Sequence, residues 1–302
     1  MNTTTAHSQP PQTAAGHRAR LRKMLVEDGQ IACVDEGPRD GPPVLLVHGI
    51  PTSSWLYRRI IPLLVERGFR VITPDLLGYG ASDKPADLRA YAMDRQAGRI
   101  LQLMQGLGIE KWTHVCHDLG GPWTWEIADR EPQRFERLVV LNTTAYRDGY
   151  RPPWEMRVMG SPLGPALMSL IRQRAIGPLM FKTLFRPFVA HPERLDAAVI
   201  EGYWLPVSEG LTRAVRQFTT TFEFMFAQFE RYGAALRRLD VPAMIIWGKQ
   251  DPVLDYVRMP AQFARDLKVP PERIHILDEA SHFLQEDQPE AIARLVGEFA
   301  AA

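Results

Sequence analysis

Short runs of apolar residues, Val44–Val47, Val71–Thr73, Thr113–Cys116 and Leu138–Leu141, punctuate the first half of the chain. Near-continuous apolar character without strict alternation fits strands covered on both faces. Between them lie segments of helical period. Met93, Ala97, Ile100, Leu101 and Met104 fall on one stripe, and Leu56, Ile60, Leu63 and Leu64 on another, which Ser53 or Ser54 could cap. Strands alternating with helices predict a mostly parallel sheet flanked by helices. The rhythm returns with strands at Ala243–Trp247 and Ile274–Leu277. A last helix follows, with Pro289 in its first turn and Ile292, Leu295, Val296 and Phe299 facing the core.

Tyr146 to Arg238 breaks this rhythm. The stretch holds no convincing strand and is rich in Phe, Met, Leu, Arg and Pro. Prolines chop its first half into short helices, while Leu211–Phe229 reads as one longer helix. A helical block inserted between two core strands is expected to lie over the carboxyl ends of the sheet, where open α/β folds place ligands. The expected organisation is a flexible tail at 1–20, an α/β core at 21–145 and 239–302, and a helical cap at 146–238.

Composition narrows the function classes. A chain of 302 residues has room for one large α/β domain with an insertion. Its 36 Lys+Arg against 35 Asp+Glu argue against nucleic acid as partner. Met1–Arg20 lacks the apolar run of a signal peptide or anchor, so no membrane partner is expected. Two cysteines, Cys33 and Cys116, make neither a disulfide framework nor a four-ligand zinc site, and a reducing cytoplasm is the expected compartment. Oligomeric state stays open.

Four strand-end elements carry candidate chemistry. Cys116-His117-Asp118-Leu119-Gly120-Gly121 follows a buried strand and precedes a helix. Small residues around Asp118 let strand and helix approach at a sharp corner, the pattern of a nucleophile elbow; the plainer alternative is that Asp118 caps the next helix. His48-Gly49-Ile50-Pro51 ends another strand. The N–H groups of Ile50 and Leu119 are candidates for an oxyanion hole, while His48 reads as structural. Asp251 follows the strand ending at Trp247, and His282 follows the one ending at Leu277. The order Asp118, Asp251, His282 is nucleophile, acid, base. No serine occupies the elbow, since Ser82 and Ser281 lie in other loops. Asn142 follows Leu141, where an amide cannot act as the acid.

The segments HGIPTSSWLYRRIIPLL (His48–Leu64), VITPDLLGYGASDKP (Val71–Pro85), CHDLGG (Cys116–Gly121), WGKQDP (Trp247–Pro252) and SHFLQEDQPE (Ser281–Glu290) resemble the α/β-hydrolase-fold enzymes. The resemblance is closest to the haloalkane dehalogenases and their epoxide hydrolase relatives. It implies attack by Asp118 on an sp³ carbon, a covalent alkyl ester, and hydrolysis of that ester by water activated at His282, with Asp251 orienting the imidazole. It implies no cofactor and no metal, and a small hydrophobic substrate with water as partners.

The resemblance leaves the leaving group open. Dehalogenases typically hold the halide with side-chain N–H donors, one often a tryptophan beside the nucleophile and another an asparagine after His-Gly. Here Leu119 and Ile50 stand at those positions. Trp123, Trp154 or Trp204 are candidate substitutes, with core packing the plainer reading of each. Tyr203-Trp204-Leu205-Pro206 also resembles a dehalogenase cap segment. Epoxide hydrolases use cap tyrosines as acids, for which Tyr146, Tyr150 and Tyr203 are candidates, although Leu211–Phe229 offers phenylalanines where a second tyrosine is usual. Haloalkane dehalogenation is the leading expectation, epoxide hydrolysis the alternative, and a ligand-binding protein on the same scaffold the second alternative.

Overall fold

The computed structural model describes residues 13–302. Its centre is an eight-stranded sheet. The strands are β1 (Arg22–Val26), β2 (Gly29–Glu36), β3 (Pro43–Val47), β4 (Arg70–Asp75), β5 (Trp112–Asp118), β6 (Phe135–Thr143), β7 (Ala243–Gly248) and β8 (Ile274–Leu277). Their spatial order is β1-β2-β4-β3-β5-β6-β7-β8. β3 pairs in parallel with both β4 and β5, and β5 through β8 continue in parallel. The chain moves from β3 out to β4 and then back across to β5. That reversal opens a crevice at the carboxyl ends of β3 and β5.

The parallel strands β3 to β7 coincide with apolar runs because both faces are covered: Val44–Val47 and Val115 through Cys116 are fully or almost fully buried, whereas β8, at the sheet edge, is only partly buried. The hairpin β1–β2 was not expected. β1 is mostly exposed and shows no apolar run, and its signal is the turn Glu27-Asp28 closed by Gly29, where Asp28 and Gly29 hold positive φ (66° and 152°).

The N-terminal stretch also departs from expectation. Residues 1–12 of the expected tail lie outside the described residues, but Ala14–Ala19 form a helix capped by the Thr13 side chain. Its His17 is buried, with Nε2 2.8 Å from Ser54 Oγ, so a polar, low-complexity stretch is anchored by one histidine.

Between β6 and β7 the chain is helical, with helices at Trp154–Gly160, Gly164–Ile171, Gly177–Phe185, Ala197–Pro206, Thr212–Thr220, Phe222–Ala227 and Phe229–Arg238. The long helix expected over Leu211–Phe229 is instead broken after Thr220. The hydroxyls of Thr219, Thr220 and Thr221 bond back to the carbonyls of Arg216 and Gln217, an arrangement in which Thr competes with the helix's own ladder. Buried ties join this block to the core. Trp55 Nε1 donates to Val199 O at 3.2 Å, and the Tyr203 hydroxyl donates to Glu286, which also pairs with Arg58.

Candidate active site

The crevice at the ends of β3 and β5 is built around Asp118. This residue holds φ at 52°, a left-handed conformation that costs a non-glycine residue about 1 kcal/mol or more. The surroundings enforce it. Thr143 Oγ donates to the Asp118 carbonyl at 2.5 Å, and the next helix starts at once, at Gly120. A Cβ at Gly120 would stand 2.8 Å from the carbonyls of Val47 and His48, and one at Gly121 would overlap Thr143. Asp118 therefore sits on a corner and does not cap the helix.

The two carboxylate oxygens have different partners. Oδ1 accepts the Ile50 N–H at 2.6 Å. Oδ2 lies 3.3 Å from Nε2 of His282. On the far side of that imidazole, Nδ1 is 2.8 Å from Asp251 Oδ2. Asp251 is itself held by the N–H groups of Val253 (2.7 Å) and Leu254 (3.0 Å) and by Asn142 Nδ2 at 2.6 Å. Asn142, whose amide cannot serve as the acid, instead bridges two elements: its Oδ1 accepts the Gly248 N–H at 2.7 Å. Its position at a strand end was the available signal.

Charge reinforces the geometry. Burial opposes the charged imidazolium of His282, but the Asp251 charge and the hydrogen bonds to Asp118 and Asp251 outweigh it and carry its pKa up to about 10. Burial likewise raises the Asp118 carboxyl, and His282, with the Leu119 N–H, more than compensates, leaving it below its ordinary value. The resting pair is thus carboxylate and imidazolium. His117 packs its ring 5.0 Å from that of His282 and holds the His282 carbonyl through Nε2 at 2.8 Å. It stays neutral because burial, with the neighbouring His282 charge, lowers its pKa to about 4. His48 is fully buried, with Nδ1 2.7 Å from Gly49 O and Nε2 accepting the Leu76 N–H at 3.1 Å, which fits a structural histidine.

A cavity of about 180 Å³ lies above Asp118 and His282. Its walls are largely Met, Leu, Ile, Val and Phe from the inserted helices, and its other polar side chains are Tyr150, Glu155 and Thr212. Apart from His282, no lining side chain carries an N–H donor.

None of the other aromatic candidates faces this space. Trp154 is 64% exposed on the outer surface. Trp204 Nε1 donates to Ile171 O at 2.7 Å, and the Tyr203 hydroxyl is bound to Glu286. The Tyr146 hydroxyl reaches Asp266 at 3.2 Å. Trp123 packs edge-on against His48 and Tyr79 and, with the Leu119 side chain, lines a separate cavity of about 370 Å³. Each buried polar aromatic has found an acceptor or an apolar niche elsewhere, as buried Trp and Tyr generally do. Tyr150 is different: its hydroxyl has only the Met156 thioether, at 3.7 Å, a weak acceptor. Among the described residues, no group of three or more His, Cys, Asp or Glu could hold a metal ion, and no helix is long and apolar enough to cross a membrane.

Comparison with known proteins agrees with this architecture. The chain is 32% identical over 277 residues to a haloalkane dehalogenase of Mycolicibacterium paratuberculosis, covering 87% of this chain and 85% of that protein. In fold it resembles Cfl2 of Burkholderia cenocepacia (TM-score 0.78, 24% identity, covering 92% and 95% of the two chains). It also resembles the epoxide hydrolase CorEH (TM-score 0.74, 22% identity, covering 93% and 98%). With residues 42–289 matching the family model for the alpha/beta hydrolase fold, the chain belongs to that family and is a hydrolase.

Proposed function

We propose that the protein hydrolyses small apolar molecules in two steps, through an alkyl ester on Asp118, and that its leading substrates are haloalkanes. The observation that carries the proposal is the position of Asp118 Oδ2, 3.3 Å from His282 Nε2 on the floor of an apolar cavity. Haloalkane dehalogenase names among full-length relatives support the substrate class.

In the first step Oδ2 forms a bond to the substrate carbon while the carbon–halogen bond breaks, and the halide leaves with the electron pair. The carboxylate needs no base for this attack, since it is ionised already. Oδ1, held by the Ile50 N–H, becomes the ester carbonyl oxygen. In the second step water attacks Cγ, and Nε2 of His282 takes its proton. Negative charge then grows on Oδ1, where Ile50 N–H, with the Leu119 N–H as a second donor, stabilises it. Collapse expels the alcohol, and Asp251 holds the imidazolium that forms.

Esterification also makes the base available. The acidic neighbour of His282 becomes neutral, one support for the elevated pKa disappears, and the imidazole can lose its proton and accept one from water.

A second reading, epoxide opening, is favoured by Tyr150. A buried phenol with no strong acceptor, facing the same cavity as the nucleophile, can donate its proton to the ring oxygen as the carbon–oxygen bond breaks.

The test pairs two assays, halide release from brominated alkanes and diol formation from styrene-type epoxides. The first reading expects halide release, abolished by Asp118→Ala. With His282→Phe, intact mass should rise by the alkyl fragment. Full turnover in Asp118→Ala would overturn the covalent scheme. Diol formation without halide release would transfer the assignment to the second reading, and Tyr150→Phe should then lower ring opening by about 10²–10⁴-fold.

A further inference from the structure

The chain is nearly neutral overall, but its charges are not evenly spread. Between Glu155 and Glu193 there is no acidic residue, while Arg157, Arg172, Arg174, Lys182 and Arg186 all fall there. The same stretch holds the helices Gly164–Ile171 and Gly177–Phe185, and it exposes large apolar side chains: Leu163 is 72% exposed, Leu179 71%, and Leu170 and Ile176 are exposed as well. Leucines this open, close together in sequence and set among cations, are unusual on a protein that meets only water.

Helical spacing divides the second helix into two faces. Phe181, Leu184 and Phe185 face the catalytic cavity. Leu179, Lys182, Thr183 and Arg186 recur at spacings of three and four on the opposite side, where Leu179, Thr183 and Arg186 are exposed and Lys182 is partly so. Neither Lys182 nor Arg186 has an ion-pair partner among the described residues, whereas Arg174 pairs with Glu201 at 2.5 Å. One helix thus forms the cavity wall with its inner face and a cationic, leucine-bearing surface with its outer face.

We infer that this face of the inserted block docks on an anionic lipid surface. Cations near an anionic headgroup layer and leucines inserted at its acyl boundary are the two elements of peripheral membrane attachment. Charge complementarity selects the occupant: on the outer helix face the cations Lys182 and Arg186 have no ion-pair partner among the described residues, and such a face fits phosphate headgroups and repels a second copy of itself. The surface goes beyond the hydrolytic reading and complements it, because apolar substrates concentrate in lipid and only one helix would separate that reservoir from Asp118. The absence of an apolar terminal run, which argued against a membrane partner, concerns anchors and says nothing about a folded face of this kind.

Flotation of the full chain with phosphatidylcholine vesicles, and with an equal mixture of phosphatidylcholine and phosphatidylglycerol, tests the inference. Binding to the mixed vesicles and not to the neutral ones is expected, weakening as salt is raised. The double variant Lys182→Glu/Arg186→Glu should bind them roughly 25-fold more weakly or worse, at about fivefold per cation. Leu163→Ser/Leu179→Ser should also weaken binding. All variants should turn over a water-soluble substrate at the wild-type rate, which separates this result from the fate of the catalytic reading and shows that they fold. Equal affinity for both vesicle types, no affinity for either, or wild-type binding by the charge-reversed variant would each overturn the inference. So would a dimer in light scattering that Leu179→Ser dissociates without any change in vesicle binding.

Discussion

Asp118 Oδ2 and His282 Nε2 lie 3.3 Å apart, and burial makes each depend on the other's charge. Removing the carboxylate charge by Asp118→Asn should therefore lower the His282 pKa from about 10, Asp251 supporting what remains. Imidazole resonances followed by NMR across pH measure it; an unchanged pKa would mean that the pair does not communicate.

That elevation also links stability to pH. The folded pKa of His282 is raised above its ordinary value, so its contribution to stability is complete below about pH 6.5 and is lost as pH rises through about 10. Wild-type Tm should fall over that window, and the fall should be smaller in Asp118→Asn. Parallel melting curves for the two proteins would contradict the assignment.

Hydrolysis at Cγ leaves an isotopic record. On the proposed scheme the alcohol keeps the oxygen that was Oδ2, and the water oxygen enters the Asp118 carboxylate. A single turnover in ¹⁸O-water, with enzyme in excess, should yield unlabelled alcohol and a labelled peptide containing Asp118. Label in the alcohol after one turnover would instead indicate direct attack of water on the substrate carbon.

The limits of the sequence follow from what each signal depends on. Strands β3 to β7 are marked in the sequence because a strand covered on both faces needs a near-continuous apolar run, whereas β1, exposed and paired on one side, needs none. Asp118, Asp251 and His282 were legible because strand ends are marked in sequence, and the structure brings them within hydrogen-bonding distance in a row. The leaving-group residues were not. Trp123, Trp154, Trp204, Tyr146 and Tyr203 all carry donors, but where a donor points depends on which carbonyl or carboxylate lies across the fold. Ile171 O and Glu286 intercept two of them. Tyr150 is among the candidate cap tyrosines, but that it alone of the three faces the cavity follows from a loop conformation, between Gly149 and the Pro152-Pro153 pair, that periodicity cannot encode.

Glycines offer a contrast in the same currency. A Cβ at Gly49 would overlap the Asp118 carboxylate, while one at Gly98, within the helix Met93–Gly106, meets nothing within 4 Å. Gly49→Ala should lower turnover at least about 100-fold by displacing the nucleophile. Gly98→Ala should leave turnover unchanged and stabilise by about 0.5–1 kcal/mol. Turnover and urea unfolding of both variants check this, and a fully active Gly49→Ala would show that Asp118 can relocate without loss.

Asn142 supports Asp251 without touching substrate, donating through Nδ2 and accepting the Gly248 N–H through Oδ1. Asn142→Asp distinguishes that positioning role from simple packing. Two carboxyls at this distance cannot both ionise at neutral pH, so one keeps its proton. A protonated Asp at 142 reproduces the amide: its O–H donates to Asp251 and its other oxygen accepts from Gly248. Below the raised pKa of the pair, kcat should therefore stay near wild type. Above it the second proton leaves, the two carboxylates repel, and Asp251 loses its place against Nδ1 of His282. The kcat of Asn142→Asp should then fall toward alkaline pH relative to the wild type. Asn142→Ala can neither donate nor accept, strands the Gly248 N–H at a cost of about 1–3 kcal/mol, and should lower kcat at every pH. Superimposable pH profiles for wild type and Asn142→Asp would show that Asp251 needs no help from this amide.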